Sequence, residues 1–226
     1  MHLRIFTFGA ALALAAAVSA QPVAVDGPYQ VRYATNLNLG DSVIDIVNDG
    51  ASGASHLAGT TAAIPGTICA NVYAFDPQEE IVSCCSCPVT PNGLVSLSAQ
   101  SDILSNTLTP VVPTSLVLKI VASLPLATPV GPTCAGSAAQ LGPFGTAAGN
   151  ITIGLLAWGT TLHTAPAGQA LTETAFSPAT LSAGELDKLN YTCGFIQGTN
   201  GLNGQGTGAG ICKSCRLGGL GASSAQ

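Results

Sequence analysis

The sequence predicts a mainly β protein: an antiparallel β-sandwich of about seven strands with one short C-terminal helix and a Gly-rich, disulfide-anchored tail. Three observations carry this prediction. Short alternating or β-branched segments recur between Pro, Gly and Asn turns, and a single late segment has helical spacing. Eight cysteines stand in a chain of 226 residues.

Residues 29–33 alternate, and 41–47 carry the β-branched Val43, Ile44, Ile46 and Val47. Residues 67–75 are the clearest strand. Ile68, Ala70, Val72 and Ala74 fall on one face, with Cys69, Asn71, Tyr73 and Phe75 on the other. Asp76-Pro77 opens a turn, and 81–85 return as the hairpin partner. Pro91-Asn92-Gly93 marks the next turn, ahead of a strand at 94–98. Segments 115–121 and 151–162 complete the set.

The helix starts at Ser182. With Glu185 it fits a capping box, in which the hydroxyl accepts from the third helical amide and the carboxylate reaches back. Leu186, Leu189, Cys193 and Ile196 follow as one apolar stripe, and Gly198 ends the pattern. Residues 198–210 hold six glycines and no charge. They lack the Gly-Lys-Ser/Thr of a phosphate loop and read as a tether held at its ends by cysteines.

Residues 1–20 read as a signal peptide: Arg4 gives a basic start, an apolar run covers 5–18, and Val18-Ser19-Ala20 supplies the small residues of a cleavage site. The expected divisions are then 21–165, the sandwich, and 166–226, a helix plus Gly/Cys-rich region packed on it or appended to it. No later run is long and apolar enough for a transmembrane span. The expected location is secreted, periplasmic or at the cell surface, after cleavage near Ala20. Charged residues make up only 8% of the chain, against about 25% in ordinary domains. Of six basic residues, Arg4 leaves with the leader, so Arg32, Lys119, Lys188, Lys213 and Arg216 face eleven acidic ones. That balance excludes nucleic acid as a partner. Low charge combined with 47% apolar residues also excludes intrinsic disorder.

Export decides how the cysteines are read. Cys69, Cys84, Cys85, Cys87, Cys134, Cys193, Cys212 and Cys215 are all disulfide candidates, with connectivity left open. If Phe75 faces Ile81 and the ladder runs regularly, Cys69 lies beside Cys87, or beside Cys85 after a slip. Cys85 then shares their face, Cys84 points through the sheet, and Cys69 is expected to bond within the 84–87 cluster. A bond closing the glycine segment, from Cys193 to Cys212 or Cys215, is also expected. The two Cys-x-x-Cys pairs, 84/87 and 212/215, could alternatively make a zinc site or a redox dithiol. Their wide separation and the poor helix start after Cys212 favour structural bonds.

Candidate catalytic groups are sparse. His56 and His163 could each join a triad with Asp41, Asp45 or Asp102, but no Gly-x-Ser-x-Gly elbow is present. Asp41, Asp45 and Asp49 are spaced unlike a calcium loop, and Glu79-Glu80 reads as a solvated turn. No catalytic residue, cofactor or metal ligand is expected. Asn150-Ile-Thr152 and Asn190-Tyr-Thr192 match the glycosylation sequon.

The stretches 69–75 (CANVYAF) and 84–98 (CCSCPVTPNGLVSLS) resemble segments of exported bacterial proteins that carry no assigned function. The resemblance implies a bacterial exported protein, makes the sequons incidental and carries over no catalytic residue. The resulting expectation is a non-enzymatic exported structural or surface protein, with self-association or envelope contact as its interactions. Two alternatives stand beside it. One is an active protein using a Cys-x-x-Cys pair; the other is a carbohydrate- or envelope-binding module that stacks ligand on Trp158 or Tyr73.

Overall fold

A computed structural model describes residues 25–54, 65–126, 134, 150–166, 168–201, 209–213 and 216–217. The expected signal peptide, His56, Cys215 and most of the glycine segment lie outside the described residues. Ten strands are found among those described: β1 Tyr29–Ala34, β2 Val43–Asn48, β3 Ile68–Phe75, β4 Ile81–Val89, β5 Leu94–Ser98, β6 Leu116–Ser123, β7 Leu155–Ala165, β8 Gly168–Ala175, β9 Ser177–Pro178 and β10 Arg216–Leu217. Helix α1 spans Ala183–Gly201. The strands form two antiparallel five-stranded sheets, ordered β4-β3-β6-β1-β9 and β10-β5-β2-β7-β8. The mainly β class with a C-terminal helix is as the sequence predicts. The additions are β8, β9 and β10.

Period two explains where the core sits. On β3, Ile68, Ala70, Val72 and Ala74 enter the cluster between the sheets with Ile44, Ile46, Leu97, Leu118, Ile120 and Ala157. Tyr73 and Phe75 leave from the opposite face and meet Leu186, Leu189, Cys193 and Ile196 of α1. The molecule therefore has three layers, and all eight residues of β3 are buried. The helical stripe read from the sequence is the face that docks. Ser182 Oγ accepts from the Glu185 amide at 3.1 Å. The Glu185 carboxylate pairs instead with Lys119 on β6, so the reciprocal half of the expected capping box is given up for a tie between layers. The helix also runs past Gly198 to Gly201, since one glycine in a helix costs only about 1 kcal/mol.

The β3–β4 hairpin forms, but its register is not the regular one. Phe75 does face Ile81, yet Ala74 faces Ser83, so Val82 is an extra residue on β4. Its carbonyl accepts from the Leu108 amide at 2.8 Å. Beyond this bulge Cys69 lies opposite Pro88, Ala70 opposite Cys87, Val72 opposite Cys85 and Tyr73 opposite Cys84. Cys69 alone thereby changes sides: it shares the helix-side face with Cys84, while Cys85 and Cys87 share the core face, with Cys84 opposite them as expected.

Two further features shape the sandwich. After β5 the chain makes a π-helical turn, Ala99–Ile103, closed by Ser98 and Asp102. The Ser98 hydroxyl accepts from Ser101 N at 2.7 Å, and the buried Asp102 carboxylate accepts from Ser98 N at 2.7 Å. At the open side of the sandwich, Arg32 of β1 crosses to the other sheet. Its guanidinium donates to the Thr174 carbonyl at 2.9 Å and to Thr161 Oγ1 at 2.8 Å. Gly159 makes this crossing feasible, because a Cβ there would overlap Arg32 Nε and Cδ. The sandwich boundary expected at 165 falls at the turn between β7 and β8, two strands paired along Trp158–Ala165 and Gly168–Ala175 in one sheet.

Replacing Gly159 with valine is expected to destabilise the fold by roughly 1–3 kcal/mol through overpacking against Arg32. By contrast Gly194→Ala, where an added Cβ meets nothing within 4 Å, is expected to stabilise by about 0.5–1 kcal/mol. Urea unfolding of the two variants beside wild type checks both signs.

Candidate functional site

The chemically distinctive part of the molecule is β4, which carries Cys84, Cys85 and Cys87. Strand alternation sends Cys84 toward α1 and Cys85 toward the core, and each finds a C-terminal partner. Cys84 bonds Cys193 of α1 with Cα atoms 5.9 Å apart. Cys85 bonds Cys212 with Cα atoms 5.3 Å apart. Both separations suit an ordinary disulfide. Cys69 bonds Cys134 across 5.5 Å, which corrects its expected bond into the 84–87 cluster: after the bulge it no longer shares a face with Cys85 or Cys87. Cys87 is disulfide-bonded as well.

The expected closure of the glycine segment by one bond is also corrected. Its two flanking cysteines are fixed separately, to adjacent residues of one strand and on opposite faces of the sheet. Backbone contacts reinforce this. Cys84 N donates to Gly210 O at 2.8 Å, and Cys212 N donates back to Cys84 O at 3.3 Å. Residues 210–212 thus pair in parallel with the outer edge of β4, covering an edge strand that would otherwise present free amides and carbonyls. Cys84, Cys85, Cys87, Cys193 and Cys212 are all buried. Cys84 and Cys87 point to opposite faces, so this Cys-x-x-Cys pair does not converge on one point.

Around the Cys84–Cys193 bond the helix–sheet layer is apolar with a charged rim. Lys119 and Lys188 lie 4.8 and 5.5 Å from the centroid of the Phe75 ring. Tyr73 is wholly buried, its hydroxyl without a partner among the described residues. Burial raises its phenol above the ordinary range. Tyr29 is pushed up to about 12, chiefly by burial and further by the charge of Glu185. The buried Tyr73 cannot serve as the expected stacking platform. Trp158 shares the outer face of its sheet with Asp45, its cross-strand partner, and is only partly buried.

Among the described residues His163 is bonded to none of the candidate aspartates, while Asp41 and Asp102 both bond Ser98. His163 Nε2 lies 2.8 Å from Thr172 Oγ1. Asp41 binds Ser98 Oγ, Ser42 N and Gln100 N; Asp45 binds Ser96 Oγ; Asp49 binds Ala51 N. Among the described residues no group of three or more His, Cys, Asp or Glu is arranged to hold a metal ion. No helix there is long and apolar enough to cross a membrane. Asn190 of the second sequon is buried at 3% exposure. Comparison with protein-family models, with curated proteins and with solved structures returns no match to this chain.

Two measurements test this arrangement. Non-reducing peptide mapping is expected to yield the pairs 69/134, 84/193 and 85/212. The even cysteine count then leaves Cys87 to be recovered with Cys215. Alkaline titration reads the buried phenols. Between pH 10 and about 12 an unfolded chain releases the Tyr29 proton while the folded one retains it. The folded state then binds more protons, and stability falls as pH rises through this window. Tyr29→Phe is expected to flatten that slope in denaturant unfolding.

Proposed function

We propose that this chain is a non-enzymatic exported structural or cell-surface protein whose role is to persist as a folded scaffold outside the cytoplasm. One observation carries the reading above the others. Neighbouring residues of β4 fasten the C-terminal helix and the C-terminal segment to opposite faces of one sheet. Disulfides persist in oxidising compartments and are rare in the cytosol. Each such bond typically contributes about 2–4 kcal/mol. The leader-like residues 1–20 and the likeness of 69–75 and 84–98 to exported bacterial proteins support the same reading. The low charge supports it too, because the surface depends on hydroxyls and amides for solvation.

The test is to express the whole chain with its leader, fractionate the cells and sequence the exported product. A mature N-terminus at Gln21 and no thiol titratable under denaturing, non-reducing conditions is the expected result. A cytosolic product with four or more free thiols overturns the reading. In the exported protein, Cys84→Ser with Cys193→Ser is expected to expose the 183–201 segment to protease at least tenfold faster while the sandwich stays resistant. Unchanged proteolysis would show that the bond is dispensable to the scaffold.

A further inference from the structure

The two sides of the sandwich end differently. On one side residues 210–212 lie along the outer edge of β4, and the Cys85–Cys212 bond holds them there. On the other side β8 is the last strand of its sheet. It is eight residues long, and Gly168 to Thr174 are all exposed. The terminal strands β9 and β10 have only two residues each. The devices that blunt a long edge are missing from β8. It carries no proline and no lysine, and its ladder with β7 runs without a bulge from Gly168 to Ala175.

The hydrogen-bond phase of that ladder says which residues of β8 face outward. Phe176 N donates to Ala157 O at 2.8 Å, so these two residues are a bonded pair. Alternation along the regular register then makes Thr174, Thr172 and Ala170 bonded partners of β7 as well. Gln169 and Leu171 fall between them, so their backbone amides and carbonyls point away from β7, and Glu173 shares their phase. Leu171 is a large apolar side chain at 60% exposure, in a strand whose other residues are small or polar. The Gln169 side chain donates to Leu39 O at 3.2 Å, which leaves its second amide proton for another acceptor.

An edge of this kind accepts an antiparallel strand. Self-complementarity marks that strand as β8 of a second copy. Two copies related by a twofold axis at Leu171 place the leucines opposite each other, and each Gln169 opposite Glu173 of the second copy. The outward-directed residues then meet as bonded pairs, the exposed leucines cover each other, and each carboxylate faces an amide donor. An axis at Glu173 would instead oppose two carboxylates. We propose that the chain self-associates through β8, the two sheets joining edge to edge into one continuous sheet. The contact is small beside a standard protein interface, so a dissociation constant between about 1 μM and 1 mM is expected. The pairing holds whether or not the chain is exported.

The test is sedimentation velocity on the whole oxidised protein from about 5 μM to about 1 mM, with amide exchange on the ¹⁵N-labelled protein across the same range. Wild type is expected to pass from monomer to dimer, and exchange at Gln169 and Leu171 to slow several-fold as it does. Ala170 and Thr172, already bonded to β7, should keep the same rates. Leu171→Lys sets two like charges face to face on the axis and should weaken association about tenfold or more, with an unchanged urea midpoint showing that the monomer is intact. Gln169→Lys sets a lysine against each Glu173 and should tighten association about two- to thirtyfold, an effect that about 1 M salt removes. A protein that stays monomeric up to about 1 mM overturns the proposal. So does a dimer indifferent to both substitutions, or one whose formation leaves exchange at Gln169 and Leu171 unaltered. A series of species larger than a dimer also overturns it, since that requires head-to-tail contacts instead of a twofold.

Discussion

Strand alternation at one place organises the C-terminal part of the molecule. Because adjacent residues of a β-strand face opposite ways, Cys84 and Cys85 reach into different layers, one under α1 and one in the sandwich core. A helix docked on one face and a return segment laid along the strand edge are then both fixed by a single dipeptide. The apolar contacts of Leu186, Leu189 and Ile196 would by themselves orient α1, since its stripe has only one apolar surface to meet. The covalent bond removes the alternative of the helix leaving that surface.

The sandwich is held differently, by hydrophobic burial between sheets and by polar ties at its margins. Asn48 is one such tie. Its amide donates to the carbonyls of Gly66 and Val89 at 2.8 and 2.9 Å, and its Oδ1 accepts from Gly50 N. Asn71 does similar duty on the helix side, donating to Val121 O and Ser123 Oγ at 2.9 Å and accepting from Ser86 Oγ at 2.7 Å. Such fully engaged amides let polar side chains sit at 0% exposure without the desolvation cost of a lone group. In a chain with so few charges they provide much of the directionality that ion pairs provide elsewhere.

Much of this was legible beforehand, and the failures have particular causes. The two faces of β3 and the docking stripe of α1 followed from spacing alone, because each buries a continuous apolar row. The cysteine pairing did not, because it turned on one bulged residue. Val82 is a β-branched residue in a β-branched run, and nothing in its identity marks it as unpaired; its carbonyl is drawn off by Leu108, far along the chain. Strand β8 escaped notice because every residue from Gly168 to Thr174 is exposed, so it has no apolar face to leave a period. The Arg32 crossing was invisible for a related reason. It joins β1 to β7 and β8, and only a glycine far along the chain makes room for it.

The bonds made by β4 also set a timetable. The partners of Cys84 and Cys85 lie 109 and 127 residues further along the chain. If the chain is exported as proposed, threading through a membrane pore from its N-terminus would deliver these two thiols to an oxidant well before either partner emerges. The nearest wrong partner is the neighbouring thiol. Once β3 and β4 have paired, extended backbone holds the two sulfurs on opposite sides of a sheet, where they cannot meet. On the proposed export route, a hairpin formed early would act as a protecting group in the synthetic chemist's sense, masking two reactive atoms from each other until the reagents meant for them arrive.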